Sequence, residues 1–296
     1  MIIHAGYSKA GSRFFQKNVF PNMKGITFYE EEFCWKLFKN TFSNTTFEFD
    51  AEAEALKLDG APNSLYSLQR LCGNIAKGTY NYEIVLRLKA MGFKKVIMII
   101  RRQDAMVESL YRQYIQQGGV MKPHDFLNHD FQWSWAFLDY FQLLSHHVDV
   151  FGKENVLVFP LEETKDSMDT VLKKLKDFCG CEAIKFSTYS GDTKTTKVKG
   201  MKNKSLSFHS IKILRFLNHF SYNYYRPSGI LPDKLTTRQI RYFLKKRTDP
   251  ILHSLFSKNK QFFSDEFKAE VLKKYEESNR KVSEKFDLYL DRYGYF

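Results

Sequence analysis

An α/β fold built on a buried, parallel central sheet is what this sequence predicts, and three observations predict it. Short apolar runs alternate with longer amphipathic stretches, the pattern of strands covered by helices on both faces. The first run, Ile2–Ala5, passes directly into a glycine-bearing loop and then a helical stretch. Strand-like runs end near residue 160, beyond which the chain reads as mostly helical.

Along the chain, Ser12 opens a helical stretch, Arg13 to Phe20, that Pro21 stops. Ile26–Tyr29 and Ser64–Leu68 read as short strands. Glu83–Met91 is helical and leads through Gly92 into Val96–Ile100, the clearest strand of the chain. Asp104 is placed to cap a helix reaching Gln117, where Gly118-Gly119 ends it. Trp133 to His147 repeats apolar residues at helical spacing, and Val156–Phe159 is another buried-strand run. Met168, Val171, Leu172, Leu175 and Phe178 share one helical face before Gly180. A last amphipathic helix is expected from Asp265 to Leu290. There is no internal repeat. One domain is therefore expected over 1–296, with an α/β core in 1–190 and a basic loop plus helical extension in 191–296.

Composition narrows the function classes. The chain has 296 residues, 43% hydrophobic and 16% aromatic, enough for a sizeable core. With 15 Gly and 7 Pro it is neither collagen-like nor low-complexity. The net charge of +13 calls for an anionic partner without specifying a fold. Four cysteines, Cys34, Cys72, Cys179 and Cys181, are too scattered for a disulfide scaffold. The histidines share no ligand spacing with them, so no metal site is expected. The first residues carry no basic leader before an apolar stretch, and no apolar run approaches the ~18 residues of a membrane span, so a cytoplasmic protein is expected.

Gly6-Tyr7-Ser8-Lys9-Ala10-Gly11-Ser12-Arg13 is the most informative segment. A glycine turn between a strand and a helix N-terminus presents backbone N–H groups and the positive end of the helix dipole to one point, where phosphate or sulfate fits. Gly6 and Gly11 keep the spacing of a Walker A loop, but that motif needs Lys then Ser/Thr after its second glycine. Here Ser12 and Arg13 come next, and the lysine lies inside the loop at position 9. The Val96–Ile100 strand ends in Arg101-Arg102 where a P-loop NTPase often has an Asp for Mg²⁺. Two cations there repel a metal and attract another phosphate.

Two segments resemble the sulfotransferase family that uses 3′-phosphoadenosine 5′-phosphosulfate, and bacterial carbohydrate-type members in particular. His4 to Ser12 is similar to the family's 5′-phosphosulfate loop, and Arg101 through Ser109 to its 3′-phosphate motif. Looser similarity extends through Phe151–Val156 and Phe178-Cys179-Gly180. The resemblance implies a P-loop-like three-layer fold. It implies metal-independent, in-line sulfuryl transfer to a hydroxyl of a carbohydrate or related metabolite, with 3′-phosphoadenosine 5′-phosphosulfate as co-substrate and no specific nucleic-acid partner.

On that reading Lys9 sets its ammonium against the oxygen bridging sulfate and 5′-phosphate. The backbone amides of Ala10, Gly11, Ser12 and Arg13 and the Ser12 hydroxyl hold the 5′-phosphate. Arg13 either adds a charge-assisted contact or points away along the helix. Arg101 and Ser109 bind the 3′-phosphate, while Arg102 faces the other side of the strand. A general base must take the acceptor's proton, and Glu31, within Glu30-Glu31-Glu32, is the residue chosen. Gln69 can bind substrate but cannot take a proton. Lys199, in the basic 194–204 segment, is a further 3′-phosphate contact or part of a solvated loop. Two other readings stay open: a P-loop kinase with a drifted loop, and a non-enzymatic polyanion-binding protein.

Overall fold

The side chains of β1 (Ile2–Gly6) point alternately to the two faces of the sheet, and all five of its residues are buried. Both faces of the sheet are therefore covered. The computed structural model describes residues 1–74, 78–128, 133–185, 206–222, 229–230, 236–255 and 260–296. After β1 come β2 (Met23–Lys24), β3 (Thr27–Tyr29), β4 (Ser64–Ser67), β5 (Lys95–Ile100), β6 (Val156–Pro160) and β7 (Ala183–Ile184). Five of them form one sheet in the order β3-β4-β1-β5-β6. Every pairing in it is parallel. The expected α/β class with a central parallel sheet is what the chain adopts.

The chain divides into two compact units. One comprises Met1–Gln103, Trp135–Met201 and Leu272–Phe296, the other Asp104–Ser134 and Lys202–Val271. The C-terminal 25 residues thus belong with the sheet, although by sequence they read as part of a helical extension. What ties them there is polar. Gln103 and Asn279 exchange amide hydrogen bonds of 2.7 and 3.1 Å, and Asn279 Nδ2 also donates to Tyr295 O at 3.0 Å. Both amides are fully buried, so each must find its partners inside the protein. No periodicity signals such a pairing across 176 residues.

Several boundaries differ from the sequence reading, each for a local reason. Trp133–His147 is interrupted: a short 3₁₀ turn, Trp135–Leu138, ends at Asp139, and the helix runs from Tyr140 to Phe151. The last helix, Asp265–Phe286, stops where Asp287 takes a left-handed φ of 54° and Leu288 N bonds back to Ser283 O. The helix expected from Asp104 starts one residue earlier, as Gln103–Gln116, leaving Asp104 in its first turn near the positive dipole end. Two strands escape the sequence reading, β2 and β7, which pair antiparallel over two residues each. A ladder that short leaves no alternation to detect.

In the second unit a half-buried cation holds loop carbonyls. Arg112 bonds Glu108 Oε1 at 2.7 Å, Leu206 O at 3.1 Å and Lys260 O at 3.2 Å. Asn218 Nδ2 donates to Ile115 O and Gly119 O, both at 2.8 Å, which satisfies the carbonyls where the 103–116 helix ends. Lys245, Lys246 and Arg247 face solvent, as a basic helical stretch usually does. Among the described residues no helix is long and apolar enough to cross a membrane. All four cysteines are free and buried.

Candidate anion-binding site at the strand ends

Parallel sheets place the carboxyl ends of their strands along one edge, where ligands of α/β proteins bind. Here β1 stands in the middle, so the loop at its end lies between the segments that leave β4 and β5. Both loop glycines are needed for shape. Gly11 has φ +86°, and a Cβ there would lie 2.5 Å from Leu161 Cδ1. Gly6 has φ +147°, and a Cβ there would come within 2.8 Å of Cys72 Cβ. The loop is thus pressed between the residues after β4 and those after β6. Lys9 itself has φ +70°, uncommon for a residue with a side chain and a place where strain and function coincide.

Three cations meet at this loop. Arg101, at the end of β5, donates from Nη1 to Lys9 O at 3.0 Å. Lys9 is half-buried, and its pKa is pushed down to about 8, first by burial and then by the charges of Arg13 and Arg101. Among the described residues no carboxylate pairs with any of the three. Like charges gathered without a counter-charge are costly unless an anion joins them. The first helical N–H groups add to the pull: in the helix Ser12–Asn18 those of Ser12 and Arg13 have no intrahelical acceptor.

The remaining expected contacts divide. Ala10 N–H is taken by Tyr7 O at 3.2 Å, so the amides of Gly11, Ser12 and Arg13 are what remain of the expected cradle. The Ser12 hydroxyl turns inward and donates to Tyr7 O at 3.2 Å. Arg13 is exposed, yet near enough to depress Lys9. Arg102 is engaged elsewhere: its N–H donates to Glu162 Oε1 at 3.3 Å and its Nη1 to Tyr293 O at 3.3 Å. Ser109, half-buried in the helix after β5, belongs to the second unit, whereas Arg101 belongs to the first. Lys199 and the rest of 194–204 lie outside the described residues.

The sequence singles out Glu31 and Gln69 separately, and the structure makes them partners. Gln69 Nε2 donates to Glu31 Oε1 at 3.0 Å. The pairing comes from register. Tyr29 and Tyr66 are opposed across β3 and β4, stack at 4.4 Å, and both donate their hydroxyls to Asp59. Two residues beyond Tyr29 and three beyond Tyr66, Glu31 and Gln69 leave the same edge together. The Gln69 carbonyl in turn accepts from Ser8 Oγ at 3.1 Å, the residue before Lys9. Of the three consecutive glutamates, Glu31 alone is half-buried; Glu30 and Glu32 are exposed.

Beneath the loop lies a polar layer that no motif announces. His4 Nδ1 meets Ser67 Oγ at 2.7 Å, and Gln16 Nε2 donates to the same hydroxyl at 3.0 Å. His4 is fully buried, and desolvation lowers its pKa to about 3, which keeps it neutral and structural. Its signal in the sequence, a histidine in an apolar strand, is shared by many core histidines.

No family model matches this chain, and no curated protein matches it. Among solved structures, the chain is similar to a sulfotransferase from Alicyclobacillus acidocaldarius. That likeness has 14% identity and a TM-score of 0.48, covering 65% of this chain and 85% of that one.

Proposed function

We propose that the protein transfers the sulfuryl group of 3′-phosphoadenosine 5′-phosphosulfate to a hydroxyl of a carbohydrate or related metabolite. The observation that carries the reading is the convergence of Lys9, Arg13 and Arg101 at one loop with no carboxylate paired to them among the described residues. Beside it stands a carboxylate, Glu31, that an amide orients.

In the proposed step the acceptor oxygen attacks sulfur in line, and the bond from sulfur to the bridging phosphate oxygen breaks. Lys9 faces the negative charge that develops on that oxygen. The amides of Gly11, Ser12 and Arg13, with the Arg13 guanidinium, hold the 5′-phosphate. Arg101 takes the 3′-phosphate. Glu31 receives the acceptor proton, leaving adenosine 3′,5′-bisphosphate and a sulfate ester.

Calorimetric titration with adenosine 3′,5′-bisphosphate in the presence of a chelator tests this. Binding at least tenfold tighter than that of AMP is expected. Equal affinity for AMP, or ATP turnover that needs Mg²⁺, favours the kinase reading. Salt-sensitive binding to any polyanion without nucleotide preference favours the third.

A further inference from the structure

We propose that Arg70 and Trp35 form an acceptor subsite for a sugar ring bearing an anionic substituent, set beside Glu31. The inference rests on the sulfuryl-transfer reading of the neighbouring loop and adds the class of acceptor to it. Glu31 and Trp35 are four residues apart in the helix Glu31–Leu37, so they share one face. Opposite runs the 3₁₀ turn Gln69–Cys72. Two contacts join them: Gln69 holds Glu31 at 3.0 Å, and Arg70, the next residue, sets its guanidinium 5.5 Å from the Trp35 ring centroid. The same guanidinium lies 5.1 Å from the Phe42 ring.

Aromatic rings fix Arg70 without neutralising it. Among the described residues no carboxylate pairs with it, and it is half-buried. A guanidinium packed against rings rather than a carboxylate keeps N–H donors for a carboxylate or a phosphate, which it grips bidentately. Trp35 is 45% exposed, so apolar ring surface lies open next to that charge. The apolar face of a sugar packs on such a ring, while its anionic group reaches Arg70 and a hydroxyl reaches Glu31. A neutral sugar gains the ring contact alone.

The test compares three probes by calorimetry and by turnover with labelled donor: methyl glucoside, methyl glucuronide and glucose 6-phosphate. Wild-type protein is expected to favour at least one anionic probe over the glucoside by tenfold or more, and which one distinguishes carboxylate from phosphate. Arg70→Gln is expected to bring that ratio to about one, with Arg70→Lys between. Affinity for adenosine 3′,5′-bisphosphate is expected to stay within twofold in both variants, which also reports that they fold. Equal wild-type handling of neutral and anionic probes overturns the proposal, as does a preference that survives Arg70→Gln. Failure of the bisphosphate to bind removes the donor reading, while Arg70-dependent binding of the anionic sugar is still read directly.

Discussion

Lys9 bears its charge at a cost, since burial and two neighbouring cations oppose it and bring its pKa to about 8. An anion at the loop reverses that balance and raises the pKa, so binding is linked to a proton. Affinity for adenosine 3′,5′-bisphosphate should therefore be flat below pH 8 and fall above it, by up to tenfold per pH unit. Titrations from pH 6.5 to 9.5 would reveal the break. In Lys9→Ala the break should vanish, with affinity at every pH near the level wild type reaches above the break, held by Arg13, Arg101 and the helix amides. Turnover of the same variant should drop by about a hundred- to a thousandfold, the usual loss when a donor to developing charge is removed. Arg101→Ala should instead weaken nucleotide binding. Wild-type-like rates in the Lys9 variant would remove the proposed step.

Among the elements, the turn between β1 and its helix depends most on its neighbours. Gly11→Ala puts a methyl 2.5 Å from Leu161 Cδ1 at a φ of +86°. Leu161 comes directly after β6, whose ladder with β5 continues in the bond from Leu161 N to Ile100 O, so its backbone stays in place and its half-buried side chain must move instead. A loss of about 1–3 kcal/mol is expected in urea unfolding, from overpacking and left-handed strain together. Donor affinity should fall with it, as the amides of Ser12 and Arg13 lose their aim. Unchanged stability in that variant would mean that the loop is not pressed against β6.

For the whole molecule, the buried histidines set the acid limit. His4 and His147 are fully buried, and desolvation lowers their pKa values from 6.5 to about 3 and about 4. Between those values and 6.5 the unfolded chain binds protons that the folded chain refuses. Stability should thus decline as pH falls below 6.5, by about 1.4 kcal/mol per pH unit for each histidine. Among the described residues His147 Nε2 is buried without a partner, and its ring lies 6.5 Å from Phe151. His147→Phe should then leave stability near pH 7 within about 1 kcal/mol and roughly halve the slope between pH 6.5 and 4. Denaturant melts across that range would measure it, and an unaltered slope would assign the acid lability elsewhere.

Local sequence by itself determined the strands of the sheet, the loop between Gly6 and Arg13, and the doubled arginine ending β5. Those signals are periodicity, turn chemistry and charge within a dozen residues, which act before any long-range contact forms. Only the tertiary structure decided which groups face one another. Strand order and register brought Gln69 to Glu31 and set Arg70 on Trp35, and the last helix carried Asn279 to Gln103. Such partners are separated by dozens of residues or more, and their choice depends on strand pairing and helix packing, which leave no mark in either segment alone.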